Sequence, residues 1–285
     1  MKYTKETLFQ ILQDYETAHG YIPTQRDLRA KGICSETPFY RVFGSYEKAK
    51  ESYKAKDVYT YERVNKCNQT TLVVPDCHVG PNQDLSRFVS LNNLILNKQP
   101  TNIIFMGDFI TLESLSNWDL NKAGIMEGRR YQEDINSGIK ALKLCLKDVK
   151  ETYNPNLIFI KGNHENRLDR YLDSKPELKQ HLDLNKDLKL KEFGFDSIVE
   201  YKEYCDIMGT LFTHSPMNAA NQCVSGKFAI HRAAEMTHTS LVFGHCHRKE
   251  TVNFYRHGAD DITQVLTCGA FFEHTDSYAY GGLNA

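Results

Sequence analysis

The chain has 285 residues, 35 Lys+Arg against 36 Asp+Glu, a net charge of -1, 41% hydrophobic and 25% charged residues. That balance is globular and excludes a disordered, collagen-like or polybasic chain; the length suits one large domain with a small extra one. No run reaches the ~18 apolar residues of a membrane span, and Met1-Lys-Tyr-Thr-Lys-Glu6 has no secretory apolar core, so the expected location is the cytoplasm. Eight scattered cysteines without a CxxC pair are expected to be reduced thiols there.

Residues 1–66 read as a small all-helical domain. Thr4 precedes the stripe Leu8, Ile11, Leu12, Tyr15, which Gly20 ends. Thr24 with Asp27 three residues on reads as a capping box. Ser35 is the expected cap of the next helix, ended by Gly44, and Ser45 the cap of a last helix through about Ala55. This segment holds 12 basic and 9 acidic residues, net +3, which leaves about -4 for the remainder; it also holds eight of the 16 tyrosines. Two readings stand: a bundle whose tyrosines fill an undersized core, or a nucleic-acid module whose basic residues meet phosphates. Gly20-Tyr-Ile-Pro-Thr-Gln-Arg-Asp-Leu-Arg29 and Tyr40-Arg-Val-Phe-Gly-Ser-Tyr-Glu-Lys-Ala49 resemble the homing-endonuclease-associated repeat. The resemblance implies a DNA partner, and on the nucleic-acid reading Arg26, Arg29, Tyr40 and Arg41 are the expected contacts.

Beyond residue 67 short apolar runs alternate with helical periodicity. The runs are Thr71–Val74, Asn102–Met106, Leu157–Ile160, Thr210–Thr213 and Ser240–Phe243; Leu85 to Leu96 and Ile135 to Val149 are spaced as helices. Strand-helix-strand alternation predicts an α/β catalytic domain over 67–285 with largely parallel strands.

Each run is followed by a metal-ligand type: Asp76 and His78, Asp108, Asn163 and His164, His214, and His245 and His247. Ligands gather at the carboxyl edge of such sheets. Oxygens from Asp76, Asp108 and Asn163 with imidazoles from His78, His214, His245 and His247 suit Mn, Fe, Zn or Ni better than Ca or Mg. Seven donors exceed one ion's needs, and two ions about 3.5–4 Å apart sharing a carboxylate would use them all. If Asp76-x-His78 and His245-x-His247 are extended, residues i and i+2 face one cluster while Cys77 and Cys246 point away. Singly, each motif reads as a turn residue or an ordinary polar side chain; together they do not. A structural zinc on Cys77 and Cys246 lacks the usual cysteine spacing.

Asp76-x-His78, Gly107-Asp108, Gly162-Asn163-His164-Glu165, His214 and Gly244-His245-x-His247 resemble, in order, the signature of the calcineurin-like metallophosphoesterases. The resemblance implies two packed mixed β-sheets flanked by helices. It implies that Asp76, His78 and His247 hold one divalent ion, that Asn163, His214 and His245 hold the other, and that Asp108 bridges. Mn is the expected metal, with Fe, Zn, Ni or Mg as alternatives. His164 matches the histidine that contacts phosphate and protonates the leaving group. The second motif, Gly107-Asp108-Phe109-Ile110-Thr111, lacks the family's further aspartate, so the ligand must be oriented differently.

Ser114-Leu-Ser-Asn-Trp118 and Asn163-His-Glu-Asn-Arg-Leu-Asp-Arg-Tyr171 look like phage and prophage members, which would place the chain in a host cytoplasm. Arg129, Arg130 and Arg167 are basic groups that either touch substrate phosphates or make ion pairs. Chains of the resembled family continue past the point where Tyr280–Ala285 ends, so a shortened member is the expectation there. The expected function is a DNA nuclease hydrolysing phosphodiesters with an ion-bound hydroxide; the alternatives are a monoesterase acting on nucleotides or phosphoproteins, and a binding protein with a structural metal. A homodimer is a further expectation of the resemblance.

Overall fold

The computed structural model describes residues 3–53, 69–119, 121–255 and 262–272. Cys67, the 66/67 boundary, the end of the helix expected to reach Ala55 and the segment Tyr280–Ala285 lie outside the described residues. The chain separates into two compact units, Met1–Asn68 and Gln69–Ala285.

The first unit consists of α1 (Lys5–His19), α2 (Gln25–Ala30), α3 (Thr37–Phe43) and α4 (46–53). Thr4 closes a capping box with Thr7, and Gly20 ends α1 in the left-handed conformation. Thr24 and Asp27 form the expected capping box of α2, and the Ser45 hydroxyl accepts from the Lys48 N–H at the start of α4. Ser35 does not cap α3. The N-cap is Glu36, which makes no side-chain cap, and Pro38 in the first turn presets the helical φ. Leu8, Leu12, Tyr15, Leu28, Phe39, Tyr46 and Tyr53 form the core. Tyr46 donates to the Pro23 carbonyl at 2.8 Å and Tyr53 to Glu16 at 2.8 Å, so each buried hydroxyl finds an acceptor. Tyr3, Tyr21 and Tyr40 are exposed. The tyrosines thus divide between core and surface.

The second unit holds two sheets. The first is β1 (Thr71–Val74), β2 (Asn102–Phe105), β3 (Asn156–Ile160) and β4 (Ser197–Val199), in that order and parallel throughout. The second contains β5 (Cys205–Ile207), β6 (Thr210–Thr213), β7 (Ser240–Phe243), β8 (Lys249–Tyr255) and β9 (Ile262–Cys268), in the order β5-β6-β7-β9-β8. Among the described residues only this second sheet is mixed, which corrects the expectation of two mixed sheets. The helix-bearing crossovers between β1, β2 and β3 enforce parallel pairing. The close turn at Met208-Gly209 makes β5 and β6 antiparallel, as β8 and β9 also are.

The helices of this unit are α5 (Ser86–Lys98), α6 (Ala123–Met126), α7 (Tyr131–Cys145), α8 (Val149–Thr152), α9 (Asn166–Ser174), α10 (Leu184–Asp187), α11 (Leu190–Phe193) and α12 (Ala229–Met236). The spacing from Ile135 to Val149 predicts one helix, but α7 stops at Cys145. The buried Asn92 amide donates to the carbonyls of Cys145 and Lys147 at 3.0 and 2.8 Å. It satisfies terminal carbonyls that a continuing helix would have used.

Side-chain alternation sorts the strands into layers. Ile103, Phe105, Leu157 and Phe159 face α5 and α7. Ile104, Met106, Ile158 and Ile160 face the second sheet, where Phe212 and Val242 meet them. Leu241, Phe243 and Val265 turn the other way, onto α12. The unit is therefore helix, sheet, sheet, helix. Residues after β1, β2, β3, β6 and β7 emerge along one edge.

Candidate metal centre

Two sets of side chains at this edge could hold a metal ion: Asp76, His78 and His247, and Asp108, His214 and His245. A third grouping, His78, Asp108 and His164, joins them through shared members. Asp108 Oδ2 lies 3.9 Å from His78 Nε2, 3.8 Å from His164 Nε2 and 3.4 Å from His214 Nε2. Asn163 Oδ1 is 3.0 Å from His214 Nε2, and Asp76 Oδ2 is 3.2 Å from His247 Nε2. All seven residues read from the sequence as ligands, and His164, meet at this edge.

The backbone that brings them there is not extended. His78, Asp108, His245 and His247 have φ of 46°, 46°, 63° and 55°, a left-handed conformation costing roughly 1–2 kcal/mol for a residue with a Cβ. This corrects the expectation that i and i+2 converge by strand alternation. Convergence comes from kinks just past the strands. Cys77 and Cys246 do point away: Cys77 lies in the helix-side core and Cys246 packs on the α12 cluster.

Glycines make the approach close enough. A Cβ on Gly162 would stand 2.2 Å from Asp108 Oδ1, and one on Gly107, itself at φ 90°, would stand 2.7 Å from His214 Nδ1. Neither is an ordinary turn glycine.

The Asp108 loop is held by Glu165. Its fully buried carboxylate accepts N–H groups from Asp108, Phe109, Ile110 and Gly162 at 2.8, 2.9, 3.1 and 2.7 Å. Glu165 is the residue that reading motif by motif overlooks. It stands in the quoted Gly162–Glu165 segment, but its four donors converge only in three dimensions. Burial, with Asp108 nearby, pushes its carboxyl up to about 7. Phe272, also missed, packs its ring edgewise on His78 and His247, with centroids 5.4 and 5.1 Å away.

The donor chemistry fits a cation. His214 Nδ1 lies 2.9 Å from the Met106 carbonyl, which only an N–H can satisfy. In neutral imidazole that leaves the Nε2 lone pair facing the oxygens of Asn163 and Asp108. His78 Nε2 and His247 Nε2 face each other at 3.0 Å. There one ring's N–H can donate to the other nitrogen, but the Nε2 lone pair of a neutral His214 turned toward oxygens needs positive charge beside it. Burial opposes charge on His214, yet Asp108 and Asp76 outweigh it and carry its pKa up to about 10. Burial likewise opposes ionisation of Asp108, but His214 and His164 hold it well below the carboxylate range. Burial takes His78 down to about 3 and lowers His245. Thus a proton on His214 supplies the missing charge, and a divalent ion would supply more.

The arginines fall into two groups. Arg167 donates to the Thr111 carbonyl at 2.8 Å and approaches His164 Nε2 at 3.4 Å. Arg129 pairs with Glu113 at 3.2 Å and Asp119 at 2.9 Å, so its guanidinium fastens the loop after β2. Arg130 is exposed and donates to the Arg129 carbonyl. In the other unit, Arg26, Arg29, Tyr40 and Arg41 are exposed on α2 and α3, with Arg29 paired to Glu36.

Residues 3–54 match the model of the homing endonuclease associated repeat, which gives the N-terminal unit a nuclease-related context. No curated protein matches the chain. No described helix is long and apolar enough to cross a membrane.

Proposed function

We propose that the chain is a dinuclear-metal-dependent phosphodiesterase that cuts DNA, with residues 1–66 as its DNA-binding module. The observation that carries this reading is the gathering of seven nitrogen and oxygen donors from five strand ends, with Asp108 at their centre. Asp76, His78 and His247 would hold one ion, and Asn163, His214 and His245 the other. Asp108, whose Oδ2 lies within 4 Å of histidines from both groups, would touch both. The mixed nitrogen and oxygen set suits Mn first, with Fe, Zn, Ni or Mg as alternatives. Such a pair supplies Lewis acidity toward phosphate oxygens and an acidic water near neutral pH.

The chain's own residues set the rest. Asp108 and Glu165 fix the loop that fronts the scissile phosphate. His164 Nδ1 lies 2.8 Å from the Thr111 carbonyl, which orients Nε2 toward the cluster. Burial and Arg167 lower the proton affinity of His164, against Asp108; the charge of an arriving phosphate raises it. His164 can then hand a proton to the departing alkoxide. The match at residues 3–54 favours a polymeric substrate over a mononucleotide.

The test offers purified protein with Mn²⁺ linear DNA, circular DNA, a mononucleotide and an aryl phosphate diester. Cleavage of DNA and diester, without release of phosphate from the mononucleotide, supports the reading. Phosphate release from the mononucleotide alone makes the chain a monoesterase.

A further inference from the structure

A cavity of about 450 Å³ opens beside His247, between the start of α12 and the start of β8. Its walls include Lys227, Phe228, His231, Arg248 and Lys249, with Glu250 as the one carboxylate among the described residues that line it. The volume is within the range of small-ligand sites. Phe228 is 60% exposed although it is a large apolar ring. It is not a stray surface residue. Lys227 Nζ stands 5.8 Å from its centroid, and the His231 ring lies tilted at 54° to it, 6.4 Å away. Arg248 donates to the Lys227 carbonyl at 3.1 Å, tying the Phe228 loop to the strand that follows His247. One aromatic face and three cations thus share a cavity walled on one side by a candidate metal ligand.

Resting on the phosphodiesterase reading, we infer that this cavity binds the nucleotide next to the scissile phosphate, with its base on Phe228 and its phosphate among Lys227, Arg248 and Lys249. An apolar partner would not suit a ring fenced by charges, and a lone anion would not need the ring. Base stacking is sequence-tolerant and demands a base free of its own stack. A duplex hides that face, so the cavity selects single-stranded or frayed DNA.

The experiment measures binding by the full chain in EDTA, which removes cleavage from the readout. The probes are a single-stranded oligonucleotide carrying 2-aminopurine, its duplex and an abasic strand. Phe228→Ala should weaken single-strand binding about tenfold, the scale of one lost stack, and leave the duplex unaffected. The abasic strand should bind both proteins alike. Phe228→Trp should restore affinity, and its indole emission should be quenched by the normal strand only. Equal affinity of wild type and Phe228→Ala for the single strand overturns the inference, as does an equal loss on the abasic strand. A separate incubation with Mn²⁺ distinguishes the two claims. If wild type cuts DNA while Phe228→Ala binds normally, only the subsite fails. If wild type binds the strand through Phe228 yet cuts no diester, the phosphodiesterase reading fails instead.

Discussion

The N-terminal unit and the strand-end edge solve opposite problems. Among the described residues of the first unit, every positive φ belongs to a glycine: Gly20, Gly32 and Gly44. Each helix turn there follows local preference, with two capping boxes and an aromatic core whose buried hydroxyls are paired. At the edge, four of the candidate ligands occupy the left-handed region themselves. The cost is met by a rigid surround: two packed sheets, close glycine contacts and the Glu165 carboxylate. Strain of this kind collects where geometry must serve something other than stability. The two regions should therefore respond differently to substitution, and the experiments below press on that difference.

The largest effect falls on the residue at the centre of the edge. Asp108→Asn should lower occupancy at both ion positions together and take DNA cleavage to background, because its Oδ2 faces both donor groups. Metal analysis of gently purified protein should approach two ions per chain for wild type. A single ion, unaffected by Asp108→Asn, would dismiss the two-ion arrangement. Next comes His164→Ala, which should keep both ions and cut turnover of DNA by the ~10²–10⁴-fold of a lost general acid. The loss should shrink on a nitrophenyl ester, whose leaving group needs no proton; equal losses on both substrates would remove the acid role.

Glu165→Gln tests whether the strained loop depends on its buried clamp. An amide offers one oxygen where the carboxylate offered two, and its NH₂ confronts backbone N–H groups. One or two buried donors left unsatisfied cost roughly 2–5 kcal/mol, read as a fall in the denaturant midpoint of the second unit. A Thr24→Ala change in the first unit should cost only about 1 kcal/mol and leave metal content untouched. Comparable losses at the two positions would contradict the contrast drawn between the regions.

Legibility in the sequence follows the same division. The caps at Thr4, Thr24 and Ser45 read directly, because capping is local chemistry between residues three apart. Five strands and the ligand types after them were visible as apolar runs ending in Asp, Asn or His. The three-residue strands β4 and β5 are too short to carry a period. The antiparallel pair β8 and β9 has alternating residues, but no helical period separates the two strands, so strand-helix alternation does not mark them. The left-handed ligands were illegible because His and Asp carry no glycine-like mark of positive φ. Glu165 was in view, but its four partners come from two separate loops.

Removing residues 1–66 should leave hydrolysis of a small diester near wild type, since all seven candidate ligands lie past residue 75. It should raise KM for DNA. Charge reversal at Arg26, Arg29 and Arg41 should weaken DNA binding and flatten its salt dependence by ~0.9 in the log–log slope per lost phosphate contact. A truncated chain that binds and cuts DNA like the full one at every salt concentration would make the first unit a structural or protein-contact element.

The smallest effect concerns the loop after β2, where Trp118, the chain's one tryptophan, is 86% exposed beside Asp119. Hydrogen bonds from Lys122 first and Arg129 second carry the Asp119 carboxyl down to about 2. A carboxyl depressed in the folded state stabilises the loop at pH values above its unfolded pKa near ~3.9, and that contribution fades as pH falls toward the folded value. Tryptophan emission should therefore hold steady from pH 7 to about 4 and change between about 4 and about 2. Lys122→Ala should move that change to higher pH, and Arg129→Ala should move it less. The far-UV dichroism of the variants should follow wild type over the same range, because the pairing fastens one loop and no sheet. If the emission midpoint stays fixed in both variants, Asp119 does not hold the loop. Arg129 would then be fastened by Glu113 alone.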